Sequence, residues 1–386
     1  MTPACRIMLD GTDITANLLP APFGLPLEGG GRVIAGGGLG FGRGALLSIT
    51  VQDNEGKKSD SCELELDARE YIPSPGKGAK MQVWLGFVET GVNYMGTYLI
   101  ESWTKKGRPK TMSVSAKAAG LTTDIKAPKS RSYHETTVGD IVKKVAGKHG
   151  LGVVISGELA GVKIGHIDQS NESDINFLTR LGGRVGANFK LADEKIIFNK
   201  AGSGQLPGGG AAPTFILTET GQTEWDCTGS TRGEYESVEA AWHNVKKGER
   251  EWVKSKGGGG GGKKGAVHRN RKLFKTKEEA EAQANATKSS LARGGKVFSA
   301  SFPGRTEMFA GAGLMAVGFD PDADDAYTIK SATHSLNGQG LTTRISCEQG
   351  GEGDDNSWSG SSKPGKKPGL TSPNNSAGDV GGGNVA

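Results

Sequence analysis

His134 and Glu135 begin a pattern that a second histidine at 138 would complete, setting two imidazoles one helical turn apart on a zinc ion; Val138 stands there instead. His134 is therefore read as a hydrogen-bonding residue at an element boundary. The glycines at 257–262, followed by Lys263, have the length of a phosphate-cradling loop. However, Lys264 replaces the hydroxyl residue that would meet magnesium, and no apolar strand leads in. Gly311, Gly313 and Ala316 satisfy GxGxxA, but 317–320 reads as strand and turn, not as the helix a pyrophosphate needs. Asp320, Asp322 and Asp324 are spaced like the opening of a calcium loop. Asp325 takes the place of its glycine and Ser331 that of its closing glutamate, so a polar turn is expected. No GxSxG elbow occurs, and His134, His149, His166, His243, His268 and His334 are scattered without ligand spacing. All six are read as structural or surface groups. No catalytic, cofactor-binding or metal-binding set is expected, although a glycosidase carboxylate pair would form only in space and leave no mark in sequence.

One segment could bind something. Lys246, Lys247, Arg250, Lys254, Lys256, Lys263, Lys264, Arg269, Arg271, Lys272 and Lys275 face only Glu249 and Glu251 within 246–275. Such a run is either a solvated loop or a flexible contact for an acidic partner. Trp252 and Phe274 are its only aromatics, too few for a nucleic-acid stacking platform. The whole chain carries 47 basic and 42 acidic residues, net +5, too balanced for a protein whose main task is neutralising phosphate.

Of 386 residues 63 are glycine, more than twice the roughly 7% of average usage. They cluster at 29–44, 202–210, 257–262 and after 350, which marks these stretches as connections. The segment 350–386 is Gly, Ser, Asn, Pro and Lys with scarcely an apolar residue, and is expected to be disordered alone. No apolar run approaches the roughly 20 residues of a membrane helix, and no basic stretch with an apolar core opens the chain, so a soluble protein is expected. Cys5, Cys62, Cys227 and Cys347 lie far apart and read as buried small hydrophobes.

Between the glycines the pattern is mainly β. Cys5, Ile7 and Leu9, then Leu47, Ile49 and Val51, then Cys62, Leu64 and Leu66 alternate with polar residues. Further strands are expected at 81–88, 97–103 and 111–119, making a small antiparallel barrel or sandwich. From 128 helical spacing takes over. Thr137 with Asp140 caps a helix that stops at Gly150, and Ser173 caps a second that stops at Gly182 and Gly183; a hairpin over 188–198 follows. Thr276 and Glu279 open a third helix to about 292. Around it strands return at 214–217, 235–245, 296–302, 314–319, 327–335 and 341–347, a second barrel-like set.

Residues 46–69 (LLSITVQDNEGKKSDSCELELDAR) and 81–91 (MQVWLGFVETG) resemble the first barrel of the late control gene D family of tailed phages. The likeness continues through KSRSYHETT at 129–137, HIDQSNESD at 166–174, FLTRL at 177–181, FPGR at 302–305, and ATHSL with GLTT at 332–343. The resemblance implies a baseplate hub related to those of T-even phages and of type VI secretion spikes. Two tail-tube-like barrels per subunit, 1–127 and 213–349, would flank an α+β domain at 128–201. The second barrel would carry helix 276–292 and a Gly/Lys-rich loop at 246–272, and a flexible tail would fill 350–386. It further implies a homotrimer adapting a six-fold tail tube to a three-fold spike. Its partners would be the tail spike protein, tail tube or distal tail ring proteins, the tape measure protein and the baseplate wedge. The virion tail baseplate is the expected location, with assembly in the host cytoplasm and no membrane in the mature particle. Alternatives are a tail-associated cell-wall hydrolase and the spike hub of a secretion system or tailocin. The glycine runs at 29–44 and 257–262 are longer than the family usually has.

Overall fold

The computed structural model describes residues 1–18, 45–56, 58–76, 78–118, 123–200, 204–206, 210–230, 235–245, 247–255 and 263–349. The glycine runs at 29–44 and 257–262 and the segment 350–386 lie outside them.

The first strands are β1 (Pro3–Leu9), β2 (Thr12–Asp13), then after helix α1 (Thr15–Leu18) β3 (Leu46–Asn54), β4 (Ser61–Asp67), β5 (Lys80–Phe87), β6 (Gly91–Gly107) and β7 (Lys110–Ala118). They pair antiparallel in the order β3-β4-β7-β6-β5-β1-β2. Period-two alternation sets their faces: Cys62, Leu64 and Leu66 point inward onto Ile7, Ile49, Val51, Leu85, Tyr98 and Met112, while Glu63 points outward.

After α2 (Thr123–Lys126) come β8 (Pro128–Thr137), α3 (Val138–Lys148), β9 (Gly152–Ile155), α4 (Gly157–Ala160), β10 (Lys163–Ser173), α5 (Asp174–Val185), β11 (Ala187–Ala192) and β12 (Lys195–Lys200). β8 and β10 form an antiparallel ribbon; β11, β12 and β9 form a second small sheet. Val138, Ile141, Val142 and Val145 of α3 meet Phe177, Leu178 and Leu181 of α5 over Ile196 and Phe198. The expected caps are in place. Thr137 Oγ1 accepts from the Asp140 amide at 3.2 Å, Ser173 Oγ from the Asn176 amide at 3.2 Å, and Gly150 follows α3 at φ +65°.

The stop expected at Gly182 and Gly183 is corrected: α5 runs on to Val185, and Gly186 at φ +72° ends it. Gly182 is there because a Cβ would come within 2.7 Å of the Ala187 carbonyl oxygen, whereas Gly183 faces open space. Gly182→Ala is therefore expected to lose about 1–3 kcal/mol. Gly183→Ala should gain up to about 1 kcal/mol from helix propensity. Urea unfolding of the two variants side by side checks both signs.

The remaining elements are β13 (Thr214–Thr218), β14 (Glu224–Gly229), β15 (Tyr235–Asn244), β16 (Glu249–Ser255), β17 (Lys263–Phe274), α6 (Lys277–Arg293), β18 (Lys296–Pro303), β19 (Gly313–Val317), β20 (Ala326–Asn337) and β21 (Gly340–Gln349). The order β14-β18-β21-β20 continues directly into β3, and β19 joins β20 with β13 alongside. Strands from both ends of the described chain thus share one thirteen-stranded sheet. The junction runs from Ser331 opposite Asn54 to Asn337 opposite Ser48. Phe298, Phe302, Leu314, Tyr327, Ile329 and Ile345 form the core of this second strand set.

Two expectations are corrected here. β15, expected at 235–245 in the second barrel-like set, lies instead in a separate sheet of order β16-β15-β17. The span 246–272 is likewise not one open loop, since β16 and most of β17 fall within it. α6 supplies the reason: Phe274 with Val238 and Ala240 of β15 packs against Ala280 and Ala284, a small core of its own. Charged strands are stable when one face is covered in this way.

Lys190 of β11 ties the middle elements to the first strands. Its ammonium pairs with Asp53, and with Asp60 at 3.0 Å, while Asp53 also accepts from the Ala310 amide at 2.8 Å. Burial works against the charge on Lys190, but the two carboxylates outweigh it and push its pKa up. A cavity of about 180 Å³ lies beside this ion group, lined by Asp53, Glu55, Asn188, Lys190 and Phe309.

Candidate partner-contact face

The face of the β16-β15-β17 sheet away from α6 holds Arg250, Lys254 and Arg269 of the basic residues singled out in the sequence. Register puts His243 opposite Arg250, Ala241 opposite Trp252, and Glu239 opposite Lys254 on one side and Arg269 on the other. Alternation leaves these on one face, with Val253 and Ser255 turned to the helix, where Ser255 Oγ meets Asn285 Oδ1 at 2.9 Å. Trp252 stands directly across from the small Ala241. Arg250 stacks 4.2 Å from its ring centroid and Arg269 5.4 Å, and Arg269 also pairs with Glu239 at 3.0 Å. The result is one indole with two guanidinium groups over its ring and exposed Lys254 on the same strand, a surface whose chemistry suits carboxylates.

The other named residues divide. Lys247 is exposed and pairs with Glu251 at 2.9 Å; hydrogen bonds from Lys247 and Asn244 hold the Glu251 carboxyl below its usual range. Arg271 is exposed on β17. Lys272 leans toward α5, 5.7 Å from the Phe274 ring centroid, and burial together with Arg184 and Arg180 lowers its pKa. Lys246 and Lys256 lie outside the described residues, as do the side chains of Lys263 and Lys264, which open β17.

A second cationic–aromatic cluster lies apart from the residues that the sequence singles out. Lys105 Nζ sits 5.3 Å from the centroid of Tyr71 and 5.6 Å from that of Trp103, and donates to the Ile72 carbonyl at 2.7 Å. Tyr71 is 81% exposed. Trp103 and Lys105 are two apart on β6, a spacing that signals a shared strand face; Tyr71, in irregular chain, carries no such signal.

Of the histidines, His149 and His334 are buried hydrogen-bonding groups. His334 accepts from Thr343 Oγ1 at 3.0 Å through Nδ1 and donates to the Met308 carbonyl at 3.1 Å through Nε2. His134 and His166 do not stay scattered: they meet across the β8–β10 ribbon. Asp320 and Asp324 make the expected polar turn, the Asp324 carboxylate accepting from the Gly318 and Phe319 amides. Among the described residues no group of three or more His, Cys, Asp or Glu side chains could hold a metal ion, and no helix is long and apolar enough to cross a membrane.

The chain is strand-dominated, and its likenesses are to phage tail proteins. The 43 kDa tail protein of prophage MuSo2 from Shewanella oneidensis shares the fold at TM-score 0.62 and 13% identity, over 90% of this chain and 98% of that one. The probable baseplate hub protein of Escherichia phage P2 is 28% identical over 90% of this chain and 93% of its own length. That of Escherichia phage 186 is 28% identical over 78% and 88%. The family model for the phage tail baseplate hub (GPD) matches residues 108–340. The chain belongs to that family and is a structural component of a phage tail baseplate.

Proposed function

We propose that the chain assembles as a homotrimer whose ring adapts a six-fold tail tube to a three-fold spike, acting by geometry and not by catalysis. The observation that carries this reading is the thirteen-stranded sheet, in which two strand sets, each with its own core, are joined side by side at β3 and β20. In a three-fold ring, two sets per chain offer six similar units to the tube above and three to the spike below. Each set is read as a tail-tube-like barrel, with 1–127 and 213–349 as their domains, 128–201 as the α+β insert and 350–386 as a flexible tail. Among the described residues β14 pairs only with β18 and β2 only with β1, so each has an edge on which a neighbour's strand could add.

The Arg250–Trp252–Arg269 face is read as the contact for an acidic surface of a neighbouring baseplate protein. Native mass spectrometry of the full chain should show a trimer, and the trimer should bind the spike and the tube or distal tail ring proteins. A monomer at every concentration, with no spike binding, would overturn the reading. Trp252→Ala with Arg250→Ala should leave the trimer intact and weaken its capture by the partner at low salt by about tenfold or more. Unchanged capture would remove this face from the interface.

A further inference from the structure

The β8–β10 ribbon carries four polar side chains in two directly opposed pairs, His134 with His166 and Ser132 with Asp168. Each strand contributes residues two apart, so all four lie on one face. The two imidazole Nδ1 atoms approach to 3.0 Å, with ring centroids 4.4 Å apart and planes inclined at 39°. Behind them, Asp168 Oδ2 accepts from His166 Nε2 at 2.8 Å, and Asp168 Oδ1 accepts from Ser132 Oγ at 2.7 Å. A catalytic triad would put the serine hydroxyl on an imidazole; here it meets the carboxylate, so no nucleophile is activated. The carboxylate instead fixes the proton of His166 on Nε2 and turns the Nδ1 lone pair toward His134.

We infer that this pair of imidazoles binds a divalent transition-metal ion, Cu²⁺ in preference to Ni²⁺ or Zn²⁺, through Nδ1 of His134 and Nδ1 of His166. Metal–imidazole bonds of about 2.0–2.1 Å at coordination angles from about 90° to about 110° separate two nitrogens by about 2.8–3.4 Å, so the observed Nδ1–Nδ1 distance already fits, and each ring has to turn its Nδ1 from the other imidazole toward the ion. His134 moves its proton from Nδ1 to Nε2, which frees a second lone pair with no net release. Asp168 then stands behind His166 as the carboxylate that orients and strengthens a ligating imidazole. His134 is exposed and the His166 side chain is 24% exposed, so the ion has a path in and water completes its coordination. Imidazole nitrogen selects these ions over magnesium and calcium, and copper heads the affinity order.

Titration of the full chain with CuCl₂, followed by calorimetry and by electron paramagnetic resonance, tests the site. The expected result is one ion per chain, with the hyperfine pattern of two imidazole nitrogens. Binding should be lost in His134→Ala and in His166→Ala, and weakened about 10–100-fold in Asp168→Asn. His149, His243, His268 and His334 remain in every variant, so undiminished binding in either histidine variant overturns the proposal. A variant that fails to fold is replaced by mapping on the unaltered protein. Copper should then broaden the amide resonances of Ser132 to Glu135 and Gly165 to Asp168, and broadening centred elsewhere overturns the proposal equally.

Discussion

Arg184→Met should destabilise the protein by about 3–5 kcal/mol, because it strands a carboxylate that the fold has removed from water. Arg184 lies near the end of α5 and Glu279 in the first turn of α6; they pair directly, with side chains only 10% and 1% exposed. Glu279 also accepts from the Gly165 amide at 3.3 Å, so one carboxylate joins α5, α6 and β10. This is where the basic sheet and its helix are fixed to the α+β elements. The double variant Arg184→Met/Glu279→Leu should recover most of the loss, since removing both partners leaves no orphaned charge. A double-mutant cycle by urea unfolding measures the coupling, and a double variant as weak as the single one would show that the pair is not the cause.

Asp174→Ala should cost about 3 kcal/mol or more near neutral pH, and that difference should shrink in acid. The Asp174 side chain is fully buried at the start of α5. Its oxygens accept from His149 Nε2 at 2.8 Å, Gln169 Nε2 at 2.9 Å, Lys129 Nζ at 3.0 Å and Arg131 NH1 at 3.2 Å. Burial alone would raise its pKa; the hydrogen bonds from His149, Gln169 and Lys129 and the charge of Arg131 outweigh it and hold the carboxyl below its usual range. Since the folded pKa lies below the unfolded one, the stabilisation is complete above the unfolded value of about 3.9 and is lost as pH falls through the folded value. Unfolding of both proteins between pH 7 and pH 3 should therefore converge toward the acid end; a gap independent of pH would mean packing and not charge.

What sequence could see was local. Thr137, Ser173 and Thr276 cap their helices as read, because a cap needs only residues three apart. At Thr276, however, the reciprocal half of the capping box is absent, as the Glu279 carboxylate is spent on Arg184 and Gly165. The ribbon strands β8 and β10 escaped notice for a different reason. Tyr133 is the one buried hydrophobic residue in β8, and a register shift between Gln169 and Glu172 breaks the alternation of β10. β16 and β17 were hidden by charge: period two is present in Trp252, Val253, Lys254 and Ser255, but the buried face depends on α6, which follows in sequence. The sites were the least legible part. Asp174 draws on Lys129 and Arg131, more than forty residues earlier, and His134 finds His166 only through pairing of two strands that sequence did not reveal.

The junction of β3 and β20 also sets an order of events during synthesis. Thr50 and Ser335 share a hydrogen bond across a separation of 285 residues, and Leu336 and Leu341 complete the core built by the first strands. A nascent chain that stops short of residue 341 therefore leaves even its earliest strands with an unfinished core and an open edge. Contacts this far apart close slowly and late. A chain truncated before residue 341 is therefore expected to be digested by protease within 1–118 faster than the full chain is, because its first strand set lacks Leu336 or Leu341 and the β20 edge.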